Sequence, residues 1–437
     1  MQTVKYSKTY LFKLSLPIFV SNLGIPLVGI VDTGLMGHLS STKFLAATSI
    51  STAVITMLFW SFGFLRMSTV GLVAQEYGRD NNKEIILILI RNIILAVYIG
   101  LILLLIQKPL LQLIQFFYNN SFETQNLINK YISIRIYSAP AELLIYVLVG
   151  FFLGLQKTQI SSLIIIFFSI INILLSIFFV VDLDLEISGV ALGTSLSAYI
   201  TVLVFFIYTY FFVLRRLKII PNFNKIFLKK KLLKIFSINF DIFIRTILLT
   251  FSFLWITYKG AELGEDYLTM NSILMQFILL SSFILDSYAF STEAVVGYTI
   301  GKKSYKPFLL VVSNSFKLSI VSGLIISFIY LIFFKLFVNI LTDIDYLRFM
   351  TYQFIIWVII IPPFAALAYQ FDGIFIGASQ TSEIRNSMLI SVTVFIVSSI
   401  YMINYFDNHG LWASLLFFMI IRAITLNFYF NQIVKKF

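Results

Sequence analysis

Apolar runs of about twenty residues or more, parted by short polar stretches, recur roughly every 36 residues along the whole 437-residue chain. A helix needs about twenty apolar residues to cross a hydrocarbon core, and only helices or closed barrels satisfy backbone hydrogen bonding there. The pattern therefore predicts membrane-spanning helices near 10–37, 44–77, 84–106, 128–155, 159–181, 187–214, 232–259, 267–300, 307–335, 346–377, 382–404 and 410–433. No polar stretch is long enough for a separate soluble domain. The first apolar run continues past Gly29 to Gly37 without a small-residue cleavage site, so no cleaved signal peptide is expected.

Composition sharpens this picture. The chain is 59% hydrophobic and 12% charged, about half the charge of an ordinary soluble domain, which excludes a water-soluble fold. Lys and Arg outnumber Asp and Glu by 32 to 20, and in a membrane protein that excess reports orientation. With the N-terminus inside, twenty Lys and Arg fall on inner loops, eight of them between Arg215 and Lys234, against Lys43, Lys108, Lys130, Lys259 and Lys335 outside. Both termini are expected in the cytoplasm of a multi-pass inner (plasma) membrane protein, and no nucleic-acid partner is needed. The absence of cysteine excludes disulfides and thiolate chemistry.

The chain also repeats itself. Ser68-Thr69 before Gly78 recurs as Ser291-Thr292 before Gly301, and Gly150-Phe-Phe-Leu-Gly154 with Thr158 recurs as Gly373-Ile-Phe-Ile-Gly377 with Thr381, each displaced by 223 residues. Gly37 maps onto Gly260, and Gly189-Val-Ala-Leu-Gly pairs with Gly410-Leu-Trp-Ala at a displacement of 221. The expected organisation is an N-terminal six-helix bundle at 1–214, a cytoplasmic basic linker at 215–231 and a C-terminal six-helix bundle at 232–437. Each half begins inside and holds an even number of spans, so the two are parallel repeats related by an axis along the membrane normal, a design used by secondary transporters.

Several stretches resemble the DinF-type members of the MATE (multidrug and toxic compound extrusion) family. They are Pro17-Ile-Phe-Val-Ser-Asn22, Pro26-Leu-Val-Gly-Ile-Val-Asp32-Thr33 with Gly37-His38-Leu39, Phe64-Leu-Arg66-Met-Ser-Thr69, Asn239-Phe-Asp241-Ile-Phe-Ile-Arg245, Leu285-Asp286 with Glu293-Ala294, and Asp372-Gly-Ile-Phe-Ile-Gly377 with Glu383-Ile-Arg385. The resemblance covers essentially the whole chain. It implies an all-α membrane protein of twelve transmembrane helices in two six-helix bundles, V-shaped, that exports organic and often cationic compounds against H⁺ or Na⁺.

Asp32 is the leading site residue, because a carboxylate within a membrane helix costs about 3 kcal/mol on insertion scales and is seldom kept without use. Desolvation favours the neutral form of a carboxyl, which suits proton uptake; a Na⁺ ion is the competing occupant, and a helix cap is the structural alternative. By resemblance Asp32, Asn172, Ser176 and Thr194 form a proton and cation cluster. Many DinF-type members carry Asp at the position of Ser176, so the departure favours H⁺ over Na⁺. Pro17 and Pro26 each remove a backbone donor, making either a hinge or a fixed kink. In the second half Asp241 and Arg245 are spaced for a helical ion pair, Asp286 and Glu293 share a face, and Asp372 stands where related subfamilies place a cation-site carboxylate. These residues and Arg66 are charged candidates of second rank, with structural pairing as the alternative.

The 47 Phe and 23 Tyr offer faces for organic cations, and Met57, Phe59 and Trp60 are candidate substrate contacts. The basic run Lys225–Lys234 could hold anionic membrane lipid, although orientation already accounts for it. His38 and His409 read as solvated caps at outer helix ends. No nucleotide loop or catalytic constellation occurs, so the chain is expected to be no enzyme, to need no cofactor or metal, to act as a monomer and to draw on an ion gradient. The alternative within the same superfamily is a flippase of lipid-linked precursors, for which Arg66, Arg135 and Arg245 look too few and too scattered.

Overall fold

The computed structural model describes residues 6–39, 41–117, 121–211 and 225–437, and among these the chain is helical with no strand. Ten helical stretches are long and apolar enough to cross a membrane. The longest, Thr381–Val434, joins two helices at Asp407, whose φ of 47° and ψ of −132° are not helical. With the 35-residue helix Lys229–Leu263, the set agrees with the expected twelve spans.

The first span, expected over 10–37, runs over Lys8–Gly37. It comprises α1 (Lys8–Asn22) and α2 (Gly24–Gly37), its hydrogen bonding interrupted at Leu23, whose φ of −71° and ψ of −21° stay helical. Pro26 explains the break, since it has no N–H for the Asn22 carbonyl and its ring crowds that oxygen. Pro17, by contrast, lies inside α1. The second span is also divided, into α3 (Thr42–Trp60) and α4 (Phe64–Gly78). After α5 (Asn82–Leu105) comes α6 (Gln107–Phe117), an 11-residue helix too short to cross a membrane. The fourth span begins at Phe122, ahead of the expected 128, and consists of α7 (Phe122–Arg135), a 3-10 turn at Ile136–Ser138 and α8 (Ala139–Gly154). Then follow α9 (Thr158–Ile177), ending in a π turn at Phe178–Asp182, and α10 (Glu186–Thr209). The remainder is α11 (Lys229–Leu263), α12 (Glu265–Gly301), α13 (Tyr305–Leu341), α14 (Asp345–Gly377) and α15 (Thr381–Val434). Residues 215–224 of the expected basic linker lie outside the described residues.

The helices gather into two compact units, one of Val20–Phe236 and one of Ser237–Phe437 with the chain up to Phe19. Each is built around helix crossings too close for a side chain. In the first, a Cβ at Gly150 would stand 2.5 Å from the Arg66 carbonyl oxygen, and in the second a Cβ at Gly373 would stand 2.6 Å from that of Ala289. Both partners of the second contact lie 223 residues after those of the first. The same displacement relates Gly154 against the Val70 carbonyl to Gly377 against the Glu293 carbonyl, and Gly100 against Pro140 to Gly323 against Pro363. Repeated glycines thus mark repeated crossings, because only a residue without Cβ admits backbone at that distance. Around its crossings the second unit packs Met270, Phe277, Leu285, Val358, Phe395 and Trp412 into one apolar core.

Candidate functional site

Asp32 lies on α2 beyond the break at Leu23 and is 6% exposed. Its polar neighbours are the Ser176 hydroxyl on α9 and the Arg135 guanidinium ending α7. One turn before Ser176, Asn172 donates from Nδ2 to Thr194 Oγ1 on α10 at 2.8 Å, and the Thr194 hydroxyl donates to the Val190 carbonyl at 3.0 Å. Helices α9 and α10 approach this closely because of Gly193, where a Cβ would fall 2.8 Å from Ser176 Oγ. Asp32 Oδ1, Asn172 Oδ1 and Ser176 Oγ are buried and make no hydrogen bond. The four residues singled out in the sequence are therefore brought together, and the group contains one carboxylate and three neutral oxygen-bearing side chains.

Beside them stands an ion pair that the sequence reading missed. Arg135 pairs with Glu142 and also bonds Ser138, while its guanidinium lies 5.2 Å from the centre of the Phe59 ring. Tyr146 has Glu142, Arg135 and Arg66 within electrostatic reach. The signal was present: Arg135, Ser138 and Glu142 share a helical face at spacings of three and four, and a lone Glu inside an apolar run calls for a partner. The aromatic candidates divide. Phe59 is buried beneath Arg135, whereas Met57 and Trp60 are 43% and 48% exposed, so the three do not form one surface.

In the second unit the expected helical pair of Asp241 and Arg245 does not form. Asp241 accepts from Arg385 Nη1 at 2.6 Å and from the Thr381 hydroxyl at 2.9 Å, while Arg245 pairs with Asp372 on α14. Interhelical partners with good geometry win over the neighbour one turn away. Asp372 Oδ2 also accepts from Arg422 Nη2 at 2.6 Å, so two buried guanidinium groups share its charge. Asp286 lies within electrostatic reach of Arg245. Glu293 is buried on the same helix as Asp286. Trp255 Nε1 donates to Ser399 Oγ at 2.8 Å, at positions 223 residues after Asp32 and Ser176. Both histidines are exposed: His38 Nδ1 lies 2.7 Å from the Gly34 carbonyl as a cap, and His409 stacks on Phe354 and meets Trp357 Nε1 at 3.0 Å. Among the described residues no cluster of three or more acids or histidines could hold a metal ion.

Comparison with known proteins places these features in a family context. The MatE family model matches residues 17–178 and again residues 242–405. The chain is 30% identical over 420 residues to DNA damage-inducible protein F of Escherichia coli K12, spanning 95% of this chain and 90% of that protein. It is 22% identical over 302 residues to the multidrug export protein MepA of Staphylococcus aureus, spanning 68% of this chain and 66% of that one. The solved structure of a MATE family transporter of the MOP superfamily in an outward-facing conformation aligns with a TM-score of 0.88 at 16% identity, covering 98% of this chain and 96% of that chain. A MOP superfamily transporter from Pyrococcus furiosus aligns with a TM-score of 0.87 at 16% identity over the same shares.

Proposed function

This chain belongs to the MATE family of multi-pass membrane transporters, and on that premise we propose that it is a proton-coupled antiporter exporting organic, often cationic, compounds, with Asp32 as the proton carrier. The observation that carries the reading is the buried Asp32 carboxyl, one of whose oxygens is unbonded, set among Asn172, Ser176 and Thr194. A proton needs only one acceptor oxygen, whereas a hard cation prefers a full shell of oxygens and charged ligands. Ser176 supplies no charge, and the nearby Arg135 guanidinium repels a metal ion. Both considerations favour H⁺ over Na⁺. Antiport follows if proton and substrate each favour a different state of one equilibrium. The break between α1 and α2 gives that equilibrium a mechanical element: α2 carries Asp32, so neutralising the carboxyl changes what holds α2 against α9 while the break absorbs the movement.

The remaining charged candidates suit structural roles. Asp372 is matched by Arg245 and Arg422, and Arg135 by Glu142, which also leaves little free positive charge for the pyrophosphate of a lipid-linked precursor. The protein works in the inner membrane with both termini cytoplasmic, as its loop charges favour, and both repeats lie in one chain, which favours a monomer. The test is uptake of a fluorescent organic cation into everted vesicles under an imposed pH or Na⁺ gradient. A pH gradient should drive uptake and a Na⁺ gradient should not, and Asp32→Asn should abolish the response. Full efflux by Asp32→Asn with an unaltered response to proton-gradient collapse would refute the proposal.

A further inference from the structure

The beginning of α11 carries, besides the lysines that orientation accounts for, large exposed apolar side chains. At 35 residues the helix is about 52 Å long at 1.5 Å per residue, well beyond a hydrocarbon core of roughly 30 Å. Its first turns alternate exposed Lys229, Lys230, Lys231 and Lys234 with exposed Leu232, Leu233 and Phe236. Lys230, Lys231 and Lys234 fall on one side of the helix and Leu232, Leu233 and Phe236 on the other, with Lys229 at the helix start on the apolar side, an arrangement suited to the membrane boundary.

This segment is fastened to α5. Arg91, whose side chain is 1% exposed, donates from Nε to the Ile226 carbonyl at 2.9 Å and from Nη2 to the Lys225 carbonyl at 2.7 Å. Its Nη1 bonds Glu84 at 2.8 Å, and Lys231 lies 3.2 Å from the same carboxylate. Glu84 is thus already matched by Arg91, and the remaining lysines carry surplus positive charge. A pocket of roughly 210 Å³ is lined by Arg91, Ile94, Leu95 and Tyr98 of α5 and by Ile226, Phe227 and Leu232 of the fastened segment. A hydrocarbon-lined pocket beside a surplus of ammonium groups matches a molecule with an apolar tail and an anionic head.

We propose that this pocket and the adjoining lysines bind one anionic phospholipid, an acyl chain entering between Leu95 and Phe227 and the phosphate meeting Lys229 and Lys230. The lipid would complete the seam between α5 and the start of α11 on the surface of the Val20–Phe236 unit. Its binding is independent of the proton chemistry at Asp32.

The experiment is native mass spectrometry of the purified full chain, titrated with phosphatidylglycerol or phosphatidylcholine of identical acyl chains. Two lysines at roughly fivefold each give an expected preference of about twenty-five-fold for phosphatidylglycerol, weakening as ionic strength rises. Lys229→Gln with Lys230→Gln, both exposed and remote from the packed core, should abolish the preference. Leu95→Trp, which fills the pocket, should lower phosphatidylglycerol retention about tenfold at an unchanged lysine count. Equal binding of the two lipids overturns the proposal, as does a folded Leu95→Trp protein with the full preference, since the charges alone would then hold lipid diffusely. A Leu95→Trp chain that fails to fold leaves the decision to the lysine pair, whose retention of the preference would equally overturn it.

Discussion

Replacing Asp372 by Asn removes the one carboxylate that two buried guanidinium groups share. The side chains of Arg245, Asp372 and Arg422 are 8%, 6% and 1% exposed, so water cannot take over the lost charge. Removing one partner of a buried pair costs about 3–5 kcal/mol. Asp286 remains within reach of Arg245, but Arg422 keeps only Met419 Sδ at 3.6 Å and the faces of Phe418 and Tyr369 at 5.3 and 5.9 Å. The expected loss therefore lies toward the upper end of that range. At roughly 2–4 °C per kcal/mol for a domain of this size, the apparent melting temperature should fall by about 6–20 °C. Arg422→Met, which leaves the Arg245–Asp372 pair intact, should cost less. The double variant Asp372→Asn with Arg422→Met leaves Arg245 facing Asp286 and should melt above Asp372→Asn alone, a coupling that a double-mutant cycle reads directly. The assay is loss of the monodisperse chromatographic peak after heating in detergent, at one fixed heating time because unfolding of such proteins is commonly irreversible. A fall of less than about 3 °C for Asp372→Asn, or strict additivity in the double variant, would refute the shared-charge account. Folded Asp372→Asn protein should also keep its response to a pH gradient, unlike Asp32→Asn.

Gly150→Ala and Gly373→Ala each force a Cβ to within 2.5 or 2.6 Å of a facing carbonyl oxygen, so both should destabilise by roughly 1–3 kcal/mol; thermal melts that penalise one and spare the other would break the equivalence of the two crossings. Ser176→Asp places a second carboxylate beside Asp32, and uptake in vesicles should then become sensitive to an imposed Na⁺ gradient, since two charged oxygen ligands suit a hard cation; unchanged insensitivity would remove the argument for H⁺ that rests on Ser176. Asn408→Leu strips Asn271 of its reciprocal amide bonds at 2.8 and 2.9 Å, leaving the Trp412 indole contact at 2.8 Å, and should lower stability by about 1–3 kcal/mol in the same heating assay.

What could be read from the chain and what could not divide along a physical line. Spans and crossings are local or periodic properties: a run of apolar residues is long enough to cross hydrocarbon or it is not, and a glycine required at one crossing recurs where that crossing is repeated. Hence the twelve spans and the pairing of Gly150 with Gly373 were visible without coordinates. Short interruptions were harder, because Leu23, Ser61 and Asp407 look ordinary in sequence, and only Pro26 gave a reason to expect a break nearby. Charge partners were harder still, since they depend on which helix faces which. Asp241 and Arg245 satisfy every local rule for pairing, yet each finds a better partner more than a hundred residues away, in Arg385 and Asp372. Arg135 and Glu142 went unpaired in the sequence reading although they share a face, because they stand two turns apart, beyond the one-turn spacing of a local helical pair. The repeats also differ in charge at one pair of matching positions. Where the first half sets Asp32 beside Ser176, the second sets Trp255 in a hydrogen bond with Ser399 at the matching positions. The hydroxyl is common to both, so it belongs to the duplicated scaffold. The acid stands at one of the two matching positions and an indole with no charge to gain or lose at the other, so on the proposed function proton exchange at this pair of helices falls to Asp32.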